Sequence, residues 1–181
     1  SKGSVCEQFL YEIGNPSAYI LPDVVCDFSN VIVTEIKKNK VLVKGAKGVP
    51  PTSSYKVSAT YSDGFRLCSV MVLGGLDAVK KARIASKAIF GKTRSIFEKM
   101  NLDDFTNTAE TIVGTESIYG DNAKPSLKEE PREVALRLMA AHKKKEALVI
   151  FSKEMAQAAT GTVPGIMNFL GGRPSVSPSI K

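Results

Sequence analysis

The 181 residues are 43% apolar, enough for one hydrophobic core with or without a loosely packed tail. No apolar run approaches the roughly 20 residues that cross a bilayer, and the first residues lack the basic-then-apolar order of a secretory signal, so a cytoplasmic protein without a membrane partner is expected. The formal charge of +7 is spread along the chain rather than joined to aromatic platforms or a reading helix, so nucleic acid is not an expected partner.

Residues 6–13 have the apolar spacing of a short helix closed by Gly14. The stretch 14–30, GNPSAYILPDVVCDFSN, carries two prolines and several turn residues. It reads as an ordered loop that buries Tyr19, Ile20, Val24, Val25 and Phe28, with Asn15 and Leu21 extended because each precedes a proline. The period then changes to two. Residues 31–37 and 40–46 flank Lys38–Asn39 as a hairpin. Residues 55–62 alternate again, with Tyr55, Val57, Ala59 and Tyr61 on one face. Asp63–Gly64 reads as a turn into an antiparallel strand over 65–74, in which Cys68 is expected as a small core hydrophobe.

From Leu76 apolar residues recur at helical spacing toward Met100, with Lys80, Lys81, Arg83 and Lys87 opposite. A strand is expected within 108–120, an exposed connector over 122–131, and a strand over 132–142 burying Val134, Leu136, Leu138 and Ala140. Residues 143–159 predict a second amphipathic helix, facing the core with Ala147, Leu148, Phe151 and Met155 and stopped by Gly161. The order β-β-β-β-α-β-β-α implies an α/β protein of the α+β type, with a mostly antiparallel or mixed sheet and helices on one face. One domain over 1–160 is expected, followed by a Gly/Pro/Ser-rich tail or boundary strand over 161–181.

Few motifs carry chemistry. GxGxxG before a helix, GxxxxGK[ST], HExxH and GxSxG are all missing from the sequence. Cys6, Cys26 and Cys68 are odd in number and far apart, and His142 is the single histidine, so no zinc site is expected. His142 ends a strand beside three lysines, a surface or cap position. Glu12, Asp23 and Asp27 bracket the ordered loop. Within it Tyr19, Pro22 and Asp23 are the best candidates, because a rigid loop can present a phenol and a carboxylate together. Gly171–Gly172–Arg173 has the small-small-basic order of an anion-holding turn.

Residues 11–31, YEIGNPSAYILPDVVCDFSNV, and 45–65, GAKGVPPTSSYKVSATYSDGF, resemble conserved blocks of the AtuA family, the acyclic terpene utilisation proteins. The resemblance continues through Gly74–Ala82 and, more diffusely, around Gly171–Pro174. It implies that this chain is the C-terminal half of a longer main domain, whose N-terminal α/β half precedes Ser1. It also implies a setting in the catabolism of citronellol- and geraniol-like compounds through acyl-CoA intermediates. By family motif the candidate positions are Tyr19, Pro22, Asp23, Lys56, Asp63 and Gly64. Tyr19, Asp23 and Asp63 are the catalytic candidates, and Lys56 and Arg173 the candidates for binding a cofactor of unspecified kind. Ile20–Leu21 replaces the family's more frequent Leu-Thr, which removes one polar contact from the loop.

Two readings follow. The first is part of a metabolic enzyme acting on a carboxylic acid or its CoA thioester, with the upstream domain as its partner. The second is a non-catalytic assembly domain, and in either case a homo-oligomer is expected.

Overall fold

In residues 65–73 and 134–140 every second side chain is apolar or small, so one face of each strand can be buried while the other is not. In the computed structural model, which describes residues 1–123, 131–168 and 172–181, these runs form the two central strands of an antiparallel sheet. By its contacts the chain divides into two compact units, Ser1–Ala59 and Thr60–Lys181.

The second unit runs β6 (Ser62–Gly74), α2 (Ala78–Lys99), β7 (Asn107–Val113), β8 (Glu133–His142), α3 (Lys145–Gly161), β9 (Ile166–Asn168) and β10 (Val176–Ile180). Strand order is β10-β6-β8-β7, with β9 also paired to β6. Because β6 and β7 are both antiparallel to β8, α2 is a crossover between two parallel strands with a third between them. The same holds for α3, which joins β8 to β10 across β6. This β-α-β-β-α-β order is the split βαβ arrangement of ferredoxin-like domains.

Leu67, Met71 and Leu73 of β6, Ile112 of β7 and Val134, Leu136, Leu138 and Ala140 of β8 are buried with Ala82, Ala85 and Ile89 of α2 and Leu148, Phe151 and Met155 of α3. Each large apolar side chain so buried contributes about 1.5–3 kcal/mol. The helix-facing set of α3 is the expected one, and the helix over 78–99 runs unbroken through Gly91. The opposite sheet face carries Arg66, Val70, Val72, Arg137 and Met139. Cys68 lies there too and is exposed. It is not the core residue expected, because the buried parity of β6 runs through 67, 69, 71 and 73.

The first unit holds α1 (Lys2–Glu12), β1 (Tyr19–Ile20), β2 (Val25–Asp27), β3 (Ile32–Lys37), β4 (Lys40–Lys44) and β5 (Lys47–Val49). The expected hairpin is present as β3–β4, turned by Asn39 at φ 62°, a left-handed conformation that asparagine tolerates. It stands as a separate two-stranded sheet, and β1-β2-β5 form a three-stranded one.

Two expectations fail here. The alternating run 55–62 is not a strand up to Tyr61; residues 51–63 are exposed, with Tyr55 at 98% and Val57 at 81%. Alternation supplies a face but no partner, and Pro50–Pro51 just before it removes two backbone donors. Asp63–Gly64 is likewise no hairpin turn but lies inside β6. Gly64 takes φ 74°, and a Cβ there would sit 2.7 Å from the His142 carbonyl oxygen. The glycine serves a close backbone approach rather than a reversal. The C-terminal run does return as strand: β10 pairs with β6, and Tyr61 and Lys181 exchange backbone hydrogen bonds at 2.8 and 3.0 Å.

Candidate functional site

Short strand pairings position the loop singled out above. Tyr19 pairs with Cys26 and Ile20 with Val25, while Val25, Cys26 and Asp27 pair with Val49, Gly48 and Lys47. Between β1 and β2 the Leu21 N–H donates to the Val24 carbonyl at 2.9 Å, which closes a tight turn around Pro22 and Asp23. After β5 the prolines carry the chain out, and residues 52–56 face the loop 20–22. Thr52 Oγ1 donates to the Ser54 carbonyl at 2.8 Å and holds that run in a local bend.

Between the two segments lies a pocket of about 430 Å³, lined by Ile20, Leu21 and Pro22 on one side and by Thr52, Ser53, Ser54, Tyr55 and Lys56 on the other. Its size falls in the range of small-molecule sites. The apolar loop forms one wall, and the aliphatic hydroxyls of Thr52, Ser53 and Ser54, the Tyr55 phenol and the Lys56 ammonium form the other. Lys56 Nζ stands 5.9 Å from the centre of the Tyr19 ring, within cation–π range. Phe28 meets the Tyr19 ring edge-on at 5.8 Å, and Phe9 meets Phe28 at 5.9 Å, so an aromatic stack backs the phenol. Nearby, Asp27 accepts from the Ser29 N–H at 2.9 Å. That bond, then the Ser29 hydroxyl, with Lys47 adding a smaller attraction, holds its carboxyl below the usual range.

Tyr19 and Lys56, more than thirty residues apart, are thus brought together. Asp23 is exposed at the loop's tip and is not among the lining residues. Asp63 belongs to the other unit, where its Oδ2 lies 2.6 Å from Lys181 Nζ. That contact, as hydrogen bond and then as charge, raises Lys181 above the ordinary lysine range. Arg173 is exposed and also belongs to the second unit, and Gly171 lies outside the described residues. The hydroxyls of 52–54 were missed as site residues. A TSS run directly after two prolines was the signal, since it sets several hydroxyls on a stiff turn.

His142 is not the surface residue expected. It is 1% exposed, with Nε2 3.0 Å from the Asp103 carbonyl and Nδ1 accepting from the Lys144 N–H at 2.8 Å. A carbonyl can only accept and an N–H only donate, so these two bonds define the neutral Nε2–H tautomer. Both ring nitrogens are committed to the backbone, one at Asp103 before β7 and one at Lys144 before α3, and neither is available for chemistry. Among the described residues no helix is long and apolar enough to cross a membrane, and no cluster of three His, Cys, Asp or Glu side chains could hold a metal ion.

Fold and pocket together define an α+β protein with a ferredoxin-like sheet unit, and with a lysine- and hydroxyl-lined pocket on a separate β-rich unit. The chain belongs to the AtuA family: the model of the acyclic terpene utilisation family protein AtuA matches residues 1–181. No curated protein matches the chain, and no solved structure does.

Proposed function

We propose that the pocket beside Tyr19 and Lys56 binds the acidic end of a small molecule, a free carboxylic acid or its CoA thioester, for a metabolic protein acting in acyclic terpene or related catabolism. The observation that carries this reading is the meeting of one ammonium and four hydroxyls, those of Thr52, Ser53, Ser54 and Tyr55, opposite an apolar wall. An anion needs donors and a positive charge, and an acyl chain needs the apolar side. Tyr19 orients Lys56 through its ring face, and the phenol and the Asp23 carboxylate at the loop's tip are the acid–base candidates for the chemistry.

Calorimetric titration of the full-length protein with branched-chain free acids and their CoA thioesters tests the reading. Lys56→Met is expected to weaken binding by about tenfold or more, the scale of a lost charge-assisted hydrogen bond, whereas Lys38→Met in the β3–β4 turn leaves it unchanged. Equal affinity in wild type and Lys56→Met overturns the assignment.

The assembly reading has its own support in the first unit, where Leu10 is 83%, Tyr11 82% and Val57 81% exposed. Exposed apolar side chains that join into one patch suit a protein interface. A self-associating protein that binds no acid in the titration favours that reading.

A further inference from the structure

On the sheet face opposite the helices, the second unit contains a cleft of about 410 Å³ to which all four long strands contribute. Its charged lining is Asp63 and Arg66 from β6, Lys143 just past β8 and Lys181 just past β10, with Thr106, Asn107, Thr108 and Ser179 as neutral polar groups. The register explains the convergence. Arg66 lies opposite Ala141 on one side and Ser177 on the other, and Ala141 lies opposite Asn107. These residues form one row across the sheet, on the side away from the core.

The charges do not cancel. Asp63 is engaged with Lys181 at 2.6 Å. Among the described residues neither Arg66 nor Lys143 has a carboxylate within ion-pair distance. Two cations therefore face the same cleft uncompensated. Lys143 is also the first of three lysines at the entry to α3, where the helix dipole disfavours positive charge. That placement is unfavourable for the helix alone and becomes favourable when an anion stands between the lysine and the sheet.

We propose that this cleft is a binding site for the phosphate group of a small phosphorylated molecule, distinct from the Lys56 pocket. A phosphomonoester carries about 1.5 to 2 negative charges near neutral pH, which matches the two free cations, whereas a monocarboxylate leaves one unmatched. Arg66 supplies a planar fork for two phosphate oxygens, Lys143 a point charge, and Asn107 and Ser179 neutral donors. Single-stranded RNA fits poorly. The lining contains no aromatic ring on which a base could stack; small and aliphatic residues such as Ala109 and Met139 stand there instead.

The test is a titration of the ¹⁵N-labelled chain with inorganic phosphate at constant ionic strength, followed by amide chemical shifts. Saturable shifts are expected around 64–66, 107, 141–144 and 179–181. Arg66→Gln and Lys143→Gln should each weaken binding by about tenfold with the spectrum elsewhere unchanged, and Lys56→Met should bind phosphate as wild type does. Since Lys143 is exposed, its variant decides the matter even where Arg66→Gln disturbs the sheet. Shifts that never saturate, unchanged affinity in Lys143→Gln, or tighter binding of succinate or of a uridine oligonucleotide than of phosphate each overturn the proposal. Loss of acid binding in Lys56→Met leaves it standing, and the reverse also holds.

Discussion

Phe97, Phe105, Phe90 and Phe151 form a connected aromatic cluster, with ring centres 4.9 to 5.7 Å apart, and His142 joins it through Phe97 at 5.6 Å. The imidazole thus fills core volume with one face while its two nitrogens secure the backbone on either side, at Asp103 before β7 and at Lys144 before α3. Removing it leaves a cavity beside Phe97 and two backbone groups without partners. His142→Ala is accordingly expected to destabilise the protein by about 2–4 kcal/mol, read as a lower urea midpoint with an unchanged slope. A loss below about 0.5 kcal/mol, the usual size for an uncoupled surface position, would mean that the two bonds and the ring contact are incidental. The residue's isolation in the sequence hid this role. Three neighbouring lysines suggested a wet site, but strand parity decides burial, and 142 shares the parity of Val134, Leu136 and Leu138.

At the scale of elements, what could be read in advance tracks whether a segment's partner is encoded locally. Helices α2 and α3 and strand β8 were legible because each buries one continuous face, and the spacing of Ala82, Ala85 and Ile89 or of Leu148, Phe151 and Met155 displays that face directly. The hairpin β3–β4 was legible because two residues join its strands. Residues 55–61 were misread because alternation is only half of a strand, and the other half is a neighbour that no local rule supplies. The same limit applies to the pocket. Tyr19 and Lys56 each drew attention, but their meeting depends on β2 pairing with both β1 and β5. The Asp63–Gly64 dipeptide misled for a different reason: a positive φ was needed, but for close approach. Gly64→Ala must hold a left-handed residue and also move the His142 carbonyl that its Cβ would meet at 2.7 Å. A cost of about 1–3 kcal/mol is expected. Gly91→Ala is the control. It lies exposed in the middle of α2 with nothing within 4 Å of its Cβ position, so it should stabilise by about 0.5–1 kcal/mol. Thermal unfolding of the pair checks the sign of each, and opposite signs are expected.

For the molecule as a whole, the two units differ in how their apolar side chains are used. Every member of the main buried cluster belongs to the second unit. The first unit contributes one buried apolar side chain, Val25, and leaves Leu10, Tyr11, Ile32, Ile36 and Val49 half exposed or more. A ferredoxin-like unit of about 120 residues with a continuous core is large enough to fold by itself. A unit about half that size with one core residue cannot offset the conformational entropy of ordering its chain. Residues 60–181 expressed alone should therefore unfold in a single cooperative urea transition, with coincident circular dichroism and fluorescence curves. Residues 1–59 alone should show a gradual change with no defined midpoint. Should the 60–181 fragment fail to give a cooperative transition, the sheet would depend on the first unit, and the division into two units would not describe the folding of this protein. The contrast also bears on function. A pocket carried by a weakly cored unit is one whose geometry is set by what that unit binds, so an acid at Lys56 should order residues 1–59 while phosphate at Arg66 adds to a sheet that is already formed.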